Sequence, residues 1–436
     1  MLNPIHSAKS IWGRSCRREM FALLLVFAIT ILISHSAQGQ AFSVLHNFTG
    51  GSDGAAPDAG LTLDGAGNLY GTASSGGGGG CGGCGVVYKL RQVHSGWLFT
   101  PIYTFQGHAN QDGEEPIARV VFGPDGALYG TTNSGGAGGD CTEGCGTAYR
   151  LTPPATVCKN ALCPWTETIL HSFDLSDGAG PGHGDVTFDV NGNLYGTTNV
   201  GGGWMDGCLE SGCGAAYEIS PSNGGWYTSM IYSFANGSTN TPWSGVIVDS
   251  SGNLYGTTNG GGEAGSGSIY ELSPNSGSWS QIVLYSFPSG NDGRNPVAGL
   301  VADGAGNYYG ATIVGGANGG GTIFELSPIG GGWNYSVLHS FTGQSGHLGP
   351  FASLTLNAAG NLYGTTQSDG SNGFGSIFQL TRTNGSWTYT SLHDFTGGTD
   401  GGYPVSNVVL DSNGNLYGSA SAGGGYGCGV VWEITP

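Results

Sequence analysis

G-N-L-Y-G-T-T-N-G-G-G at residues 252–262, with G-S-I-Y-E-L-S-P following at 267–274, is one copy of a unit that fills almost the whole chain. Its tyrosine returns as Tyr70, Tyr129, Tyr195, Tyr255, Tyr309, Tyr363 and Tyr417, at spacings of 59, 66, 60, 54, 54 and 54 residues. The three equal spacings give the bare unit, and the earlier copies carry insertions. Self-similarity at a fixed period of this length marks a repeat architecture, in which each unit buries its faces against its neighbours.

Each unit reads as four short strands. Strand A is of the A-G-L-T-L-D type, as at residues 60–64, 245–249 and 299–303, and strand B is N-L-Y-G-T-T itself. Strand C carries an aromatic at Tyr88, Tyr149, Tyr217, Tyr270, Phe324, Phe378 and Trp432. Strand D begins near Trp97, Trp165, Trp226, Trp279, Trp333 or Trp387 and ends at Phe105, Phe173, Phe234, Phe287, Phe341 or Phe395. Alternating apolar and polar residues rich in Val, Ile, Thr and aromatics are a strand signal, and the 3.6-residue helical period is absent. Four antiparallel strands repeated seven times predict an all-β, seven-bladed β-propeller. The ends agree. Residues 41–48, A-F-S-V-L-H-N-F, are a strand D without its own A, B and C, while residues 430–436 are a strand C without a D. The first is expected to complete the blade of the second, closing the ring and hiding two sheet edges.

Residues 1–40 read as a signal peptide and 41–436 as the propeller. Lys9, Arg14, Arg17 and Arg18 precede an apolar run from Met20 to about Ile33, then a small, polar stretch. That order is the secretory pattern, and a run this short falls below the ~20 residues of a membrane span. No second such run follows, and no anchor-like stretch precedes Thr435-Pro436, so no membrane span is expected in the mature chain. Of 11 Lys/Arg and 29 Asp/Glu, 4 and 1 fall in the leader, leaving 7 and 28, a formal charge of −21 that disfavours nucleic acid as a partner. Export also suits the cysteines. Cys81/Cys84, Cys141/Cys145, Cys158/Cys163 and Cys208/Cys213 are expected as local disulfides, whereas Cys428 occupies the slot of Cys84, Cys145 and Cys213 without a partner.

The pattern resembles the GloVer tandem repeat of bacterial surface proteins with a choice-of-anchor organisation. The residues carrying the likeness are G-N-L-Y-G-T-T-x-x-G-G and G-x-I-Y-E-L-S-P, best seen at 252–274 and 306–328. The resemblance covers the whole mature part and implies export with a surface or extracellular role. It supplies no catalytic residues.

Asp64, Asp189, Asp249, Asp303 and Asp411, with Asn357 in the sixth copy, begin D-x-x-G-N between strands A and B and read as turn chemistry. His46, His171, His339 and His393 share a slot with Tyr103, Tyr232 and Tyr285, so that slot reads as packing. Because chain direction reverses at each strand, the D-to-A and B-to-C loops share one face. Asp53, Asp112, Asp177, Asp292 and Asp400 lie on it, each followed by Gly and, three residues later, Pro. Trp204 and Trp243, which break the repeat on adjacent blades, lie there too. These seven residues are the ligand-binding candidates, since exposed aromatics stack on sugar rings or anchor protein partners. G-x-S-x-G around Ser52 lacks the helix that a nucleophile elbow requires. No catalytic residue, metal site or cofactor is assigned. The expectation is a monomeric, secreted or surface module that binds glycan or protein. The alternative is a glycoside hydrolase or lyase using aspartates of the same face.

Overall fold

The computed structural model describes residues 40–436, except 79–81, 95, 139, 156–164, 183, 204–207, 209–211, 223, 235–238 and 344–347. The expected leader up to residue 39, together with Cys81, Cys158, Cys163 and Trp204, lies outside the described residues. The body described below is Phe42–Thr435.

Blade 4 shows the common plan. Its strands are A, Ile247–Val248; B, Leu254–Thr258; C, Ser268–Asn275; and D, Ser278–Ser286, hydrogen-bonded in the order A-B-C-D. Seven such four-stranded antiparallel sheets form the propeller. Residues in or just before strand A of every blade line one cavity, which sets the A strands around the axis and the D strands on the rim. Strand B is buried along its whole length, and strand D alternates between exposed and half-buried positions, as a rim strand must.

The invariant glycine of strand B has a packing cause. It pairs with the strand C aromatic in register, Gly256 with Tyr270. A Cβ on Gly256 would come 2.5 Å from Tyr270 Oη, and one on Gly418 would come 2.3 Å from a ring carbon of Trp432. The glycine thus gives the ring its space, and the two positions vary as a pair only on the aromatic side. The strand D tryptophans reach the next interface: Trp279 stands edge-on to Tyr195, Trp226 to Tyr129 and Trp97 to Tyr417, each on the preceding blade. The recurring aromatics are therefore core, as read from the sequence.

A repeated clasp joins blade to blade. The residue before the loop proline takes a left-handed backbone, φ 56° at Asn295 and 51° at Ala56. Its N–H donates to the carbonyl of the preceding blade's B-to-C loop, Asn295 to Ser266 at 2.8 Å and Thr241 to Cys213 at 2.8 Å. The proline itself packs on the next glycine of that loop: a Cβ on Gly267 would be 2.5 Å from Pro296 Cδ. This contact, rather than a ligand, accounts for the fixed interval from D-G to Pro.

The ring closes with the same parts. Ala41–Asn47 adds to Val430–Thr435 as the outer strand of blade 7. Ala56 N–H donates to Cys428 O at 3.0 Å, repeating the clasp between blades 7 and 1. Ser419 Oγ donates to Ala59 O at 2.8 Å, as Thr257 Oγ1 does to Ala298 O at 2.9 Å between blades 4 and 5. Two disulfides, Cys141–Cys145 and Cys208–Cys213, staple the loops whose carbonyls the clasps use. Cys84 is also disulfide-bonded, and Cys428 is free. No helix among the described residues is long and apolar enough to cross a membrane.

Candidate functional site

The five loop aspartates lie at the outer joints between blades. Asp53 accepts from Thr49 N–H at 2.9 Å and faces His46 Nε2 at 3.2 Å. Asp400 repeats this with Thr396 N–H at 3.0 Å and His393 at 3.1 Å. Asp177 lies 2.6 Å from His171, while Tyr285 donates to Asp292 and Tyr103 donates to Asp112 at 2.9 Å. Hydrogen bonds from Thr49 and Thr396 outweigh burial and hold Asp53 and Asp400 below the usual carboxylate range. On the far side, the His or Tyr is covered by strand D of the next blade: Phe99 stacks on His46 at 4.1 Å, Tyr335 on Tyr285 at 4.1 Å and Phe42 on His393 at 3.8 Å. The His/Tyr slot is thus an interblade seat, and its aspartate shapes the loop. In the D-x-x-G-N turns, Asp249 Oδ1 accepts from Ser251 and Asn253 N–H at 2.8 and 2.9 Å, which is the expected turn bonding.

None of the five aspartates lines the axial cavity. That cavity, about 450 Å3, opens among the residues that lead into the A strands, on the side of the D-to-A and B-to-C loops. One repeat position supplies its inner ring: Gly60, Arg119, Asp185, Gly245, Gly299, Ser353 and Asn407. The position two residues earlier adds Asp58, Ile117, Val297, Phe351 and Val405, with Trp243 in the same slot of blade 4. Where the scaffold repeats, this ring does not.

Its contacts are specific. Arg119 grips Asp185 through Nε at 2.9 Å and its backbone N–H at 3.1 Å. Asn407 Oδ1 lies 1.4 Å from where a Cβ on Gly60 would stand, so only glycine at 60 admits it in this pose. Ser353 Oγ accepts from Gly299 N–H at 2.9 Å. Asp58 receives Ser74 Oγ at 2.7 Å; burial, with the neighbouring Glu115 adding to it, pushes its carboxyl up to about 6. Gln367, which lines the cavity from blade 6, has a buried Oε1 with no partner among the described residues. Trp243 packs edge-on against the cavity residue Phe351, with ring centroids 6.2 Å apart. Of the sequence candidates among the described residues, Trp243 alone comes to the cavity's edge. Asp58, Arg119, Asp185, Phe351 and Asn407 were missed, although their divergence at two otherwise aligned positions is visible once the seven copies are stacked.

The pattern of the Gloeobacter/Verrucomicrobia repeat matches residues 27–209 and 203–432. The chain belongs to the Gloeobacter/Verrucomicrobia repeat family. No curated protein matches this family member. Among solved structures, it is similar to a Bacteroides uniformis protein described as a 6-phosphogluconolactonase, at 13% identity over 77% of this chain and 84% of that one, with a TM-score of 0.45. A Thermus thermophilus oxidoreductase described as a glucose dehydrogenase matches at 13% over 72% and 95%, with a TM-score of 0.40. An arginine-substituted mutant of AofleA from Arthrobotrys oligospora matches at 13% over 82% and 92%, with a TM-score of 0.42. No activity is carried from them to this Gloeobacter/Verrucomicrobia repeat protein.

Proposed function

We propose that the chain is an exported binding module that holds a sugar unit in its axial cavity. The observation carrying this reading is the break in the repeat at the inner ring, where Asp58, Arg119, Asp185, Ser353 and Asn407 stand among glycines and aliphatic residues. A volume of about 450 Å3 suits a small ligand rather than a protein face. Planar polar groups beside the Trp243–Phe351 pair offer what a sugar ring needs, hydrogen bonds at its edges and an apolar surface for its face. The charged head and apolar run of residues 1–40, with the short-range disulfides, support export. The test is a glycan array with the wild type, Trp243→Ala and Phe351→Ala. Loss of sugar signal in folded variants is expected, and an unchanged signal in both removes the reading.

Glycoside cleavage has one observation in its favour. Asp58 is a buried carboxyl without an ion-pair partner among the described residues while Asp185 is ion-paired with Arg119, and acid/base carboxyl pairs require contrasting surroundings. Reducing ends released from a bound oligosaccharide by the wild type, but not by Asp58→Asn, would establish it.

A further inference from the structure

We infer that the cavity selects an amino sugar, with Asp58 as counter-ion to the ligand's ammonium. The inference deepens the sugar-binding reading and rests on it. Its basis is what the cavity leaves unmet. Asp58 takes one hydrogen bond, from Ser74, and no other described residue donates to it. Asp58 is an acceptor on the cavity lining, so an occupant that meets it must bring a donor.

Charge narrows the class further. Arg119 is the one Lys or Arg among the described lining residues, and Asp185 pairs with its guanidinium through Nε at 2.9 Å. Among the described residues Asp58 therefore has no cation of its own, and Glu115, on the loop leading to Ile117, adds a second negative charge. Burial and like charge both penalise the ionised Asp58, and an ammonium group relieves both at once. A hydroxyl would offset part of the burial cost but none of the like-charge repulsion, while a ligand carboxylate would aggravate the second. The faces of Phe351 and Trp243 are compatible with a cationic sugar, because an aromatic face attracts an ammonium group and the ring carbons beside it.

The test is calorimetric titration of the mature chain with glucosamine, N-acetylglucosamine, glucose and glucuronate at pH 7.5 and about pH 5. At the higher pH, glucosamine is expected to bind about tenfold or more tightly than glucose or N-acetylglucosamine, and glucuronate most weakly. At about pH 5, where Asp58 gains a proton, that advantage should collapse. Asp58→Asn should abolish the advantage at both pH values. The pH series on the wild type needs no variant, so a misfolded Asp58→Asn leaves the inference testable. Glucosamine and glucose binding alike at pH 7.5, or an amine preference that survives at about pH 5, overturns the inference and leaves the sugar site standing. Binding by none of the four sugars removes the sugar site as well.

Discussion

Tyr103 Oη stands 2.7 Å from Glu167 Oε2, across the joint between blades 1 and 2. The same hydroxyl lies 2.9 Å from Asp112 Oδ2. A phenol has one proton to donate, so the second short contact needs a proton from a carboxyl group. Asp112 accepts from Gln106 N–H at 2.7 Å and Gly113 N–H at 2.6 Å, and Glu167 has no such donors among the described residues. Glu167 is therefore the protonated partner, and burial together with the Asp112 charge raises it well above the usual carboxylate range.

A stability profile follows. The folded state holds a proton on Glu167 that the unfolded chain loses above its ordinary value of 4.5. Stability from this group is fully present below that value and is lost as pH rises toward the raised folded-state value. Blade 4 shows the remedy, for Gln281 fills the same seat and Tyr232 donates to its Oε1 at 2.9 Å. Glu167→Gln is expected to stabilise the protein by about 1–3 kcal/mol at alkaline pH, with the gain shrinking toward pH 4–5. Urea melts at three pH values check this, and a gain independent of pH would refute the proton assignment.

The glycine under each strand C aromatic sets a second expectation. Gly256→Ala places a Cβ against Tyr270 and should cost about 1–3 kcal/mol, read from the urea midpoint. Tyr270→Phe should be neutral or slightly stabilising, because the Tyr270 hydroxyl is buried without a partner. Phe324 and Phe378 already occupy this slot in blades 5 and 6.

Ring closure is tested by removing the opening strand. Phe48 is fully buried, and Phe48→Ala should cost about 3–5 kcal/mol. Deleting residues 41–48 exposes the edge of Val430–Thr435 and should lower the melting temperature and promote association. A synthetic peptide of the deleted sequence should restore both. Full stability without it would contradict the closure.

Gly60→Ala separates scaffold from site. The new Cβ meets only the end of a movable Asn407 side chain, so stability should change by less than about 1 kcal/mol. Asn407 must swing away, and sugar affinity should fall several-fold. An unaltered affinity would take Asn407 out of the site.

The blades were legible in the chain because strand B, the strand C aromatic and the two orphan strands recur with the repeat. Their causes, such as Gly256 beneath Tyr270, are copied seven times and amplify one another. The cavity was harder to see for the opposite reason. Asp58, Arg119 and Asn407 matter by departing from their counterparts, and a search for recurring residues passes over them. The loop aspartates were conspicuous because they recur, but their partners, such as His46 for Asp53, sit six to nine residues earlier at the end of strand D. Sequence displayed both members of each pair without showing that they touch.

Each blade brings one repeat position to the inner ring, a side chain in four blades and glycine in three, and the clasp through Ala56 or Asn295 uses backbone atoms and proline, independent of that position. Recognition and assembly are thereby written in separate letters of the repeat. One codon per blade can be redrawn to suit a new guest while the wheel that carries it keeps its shape.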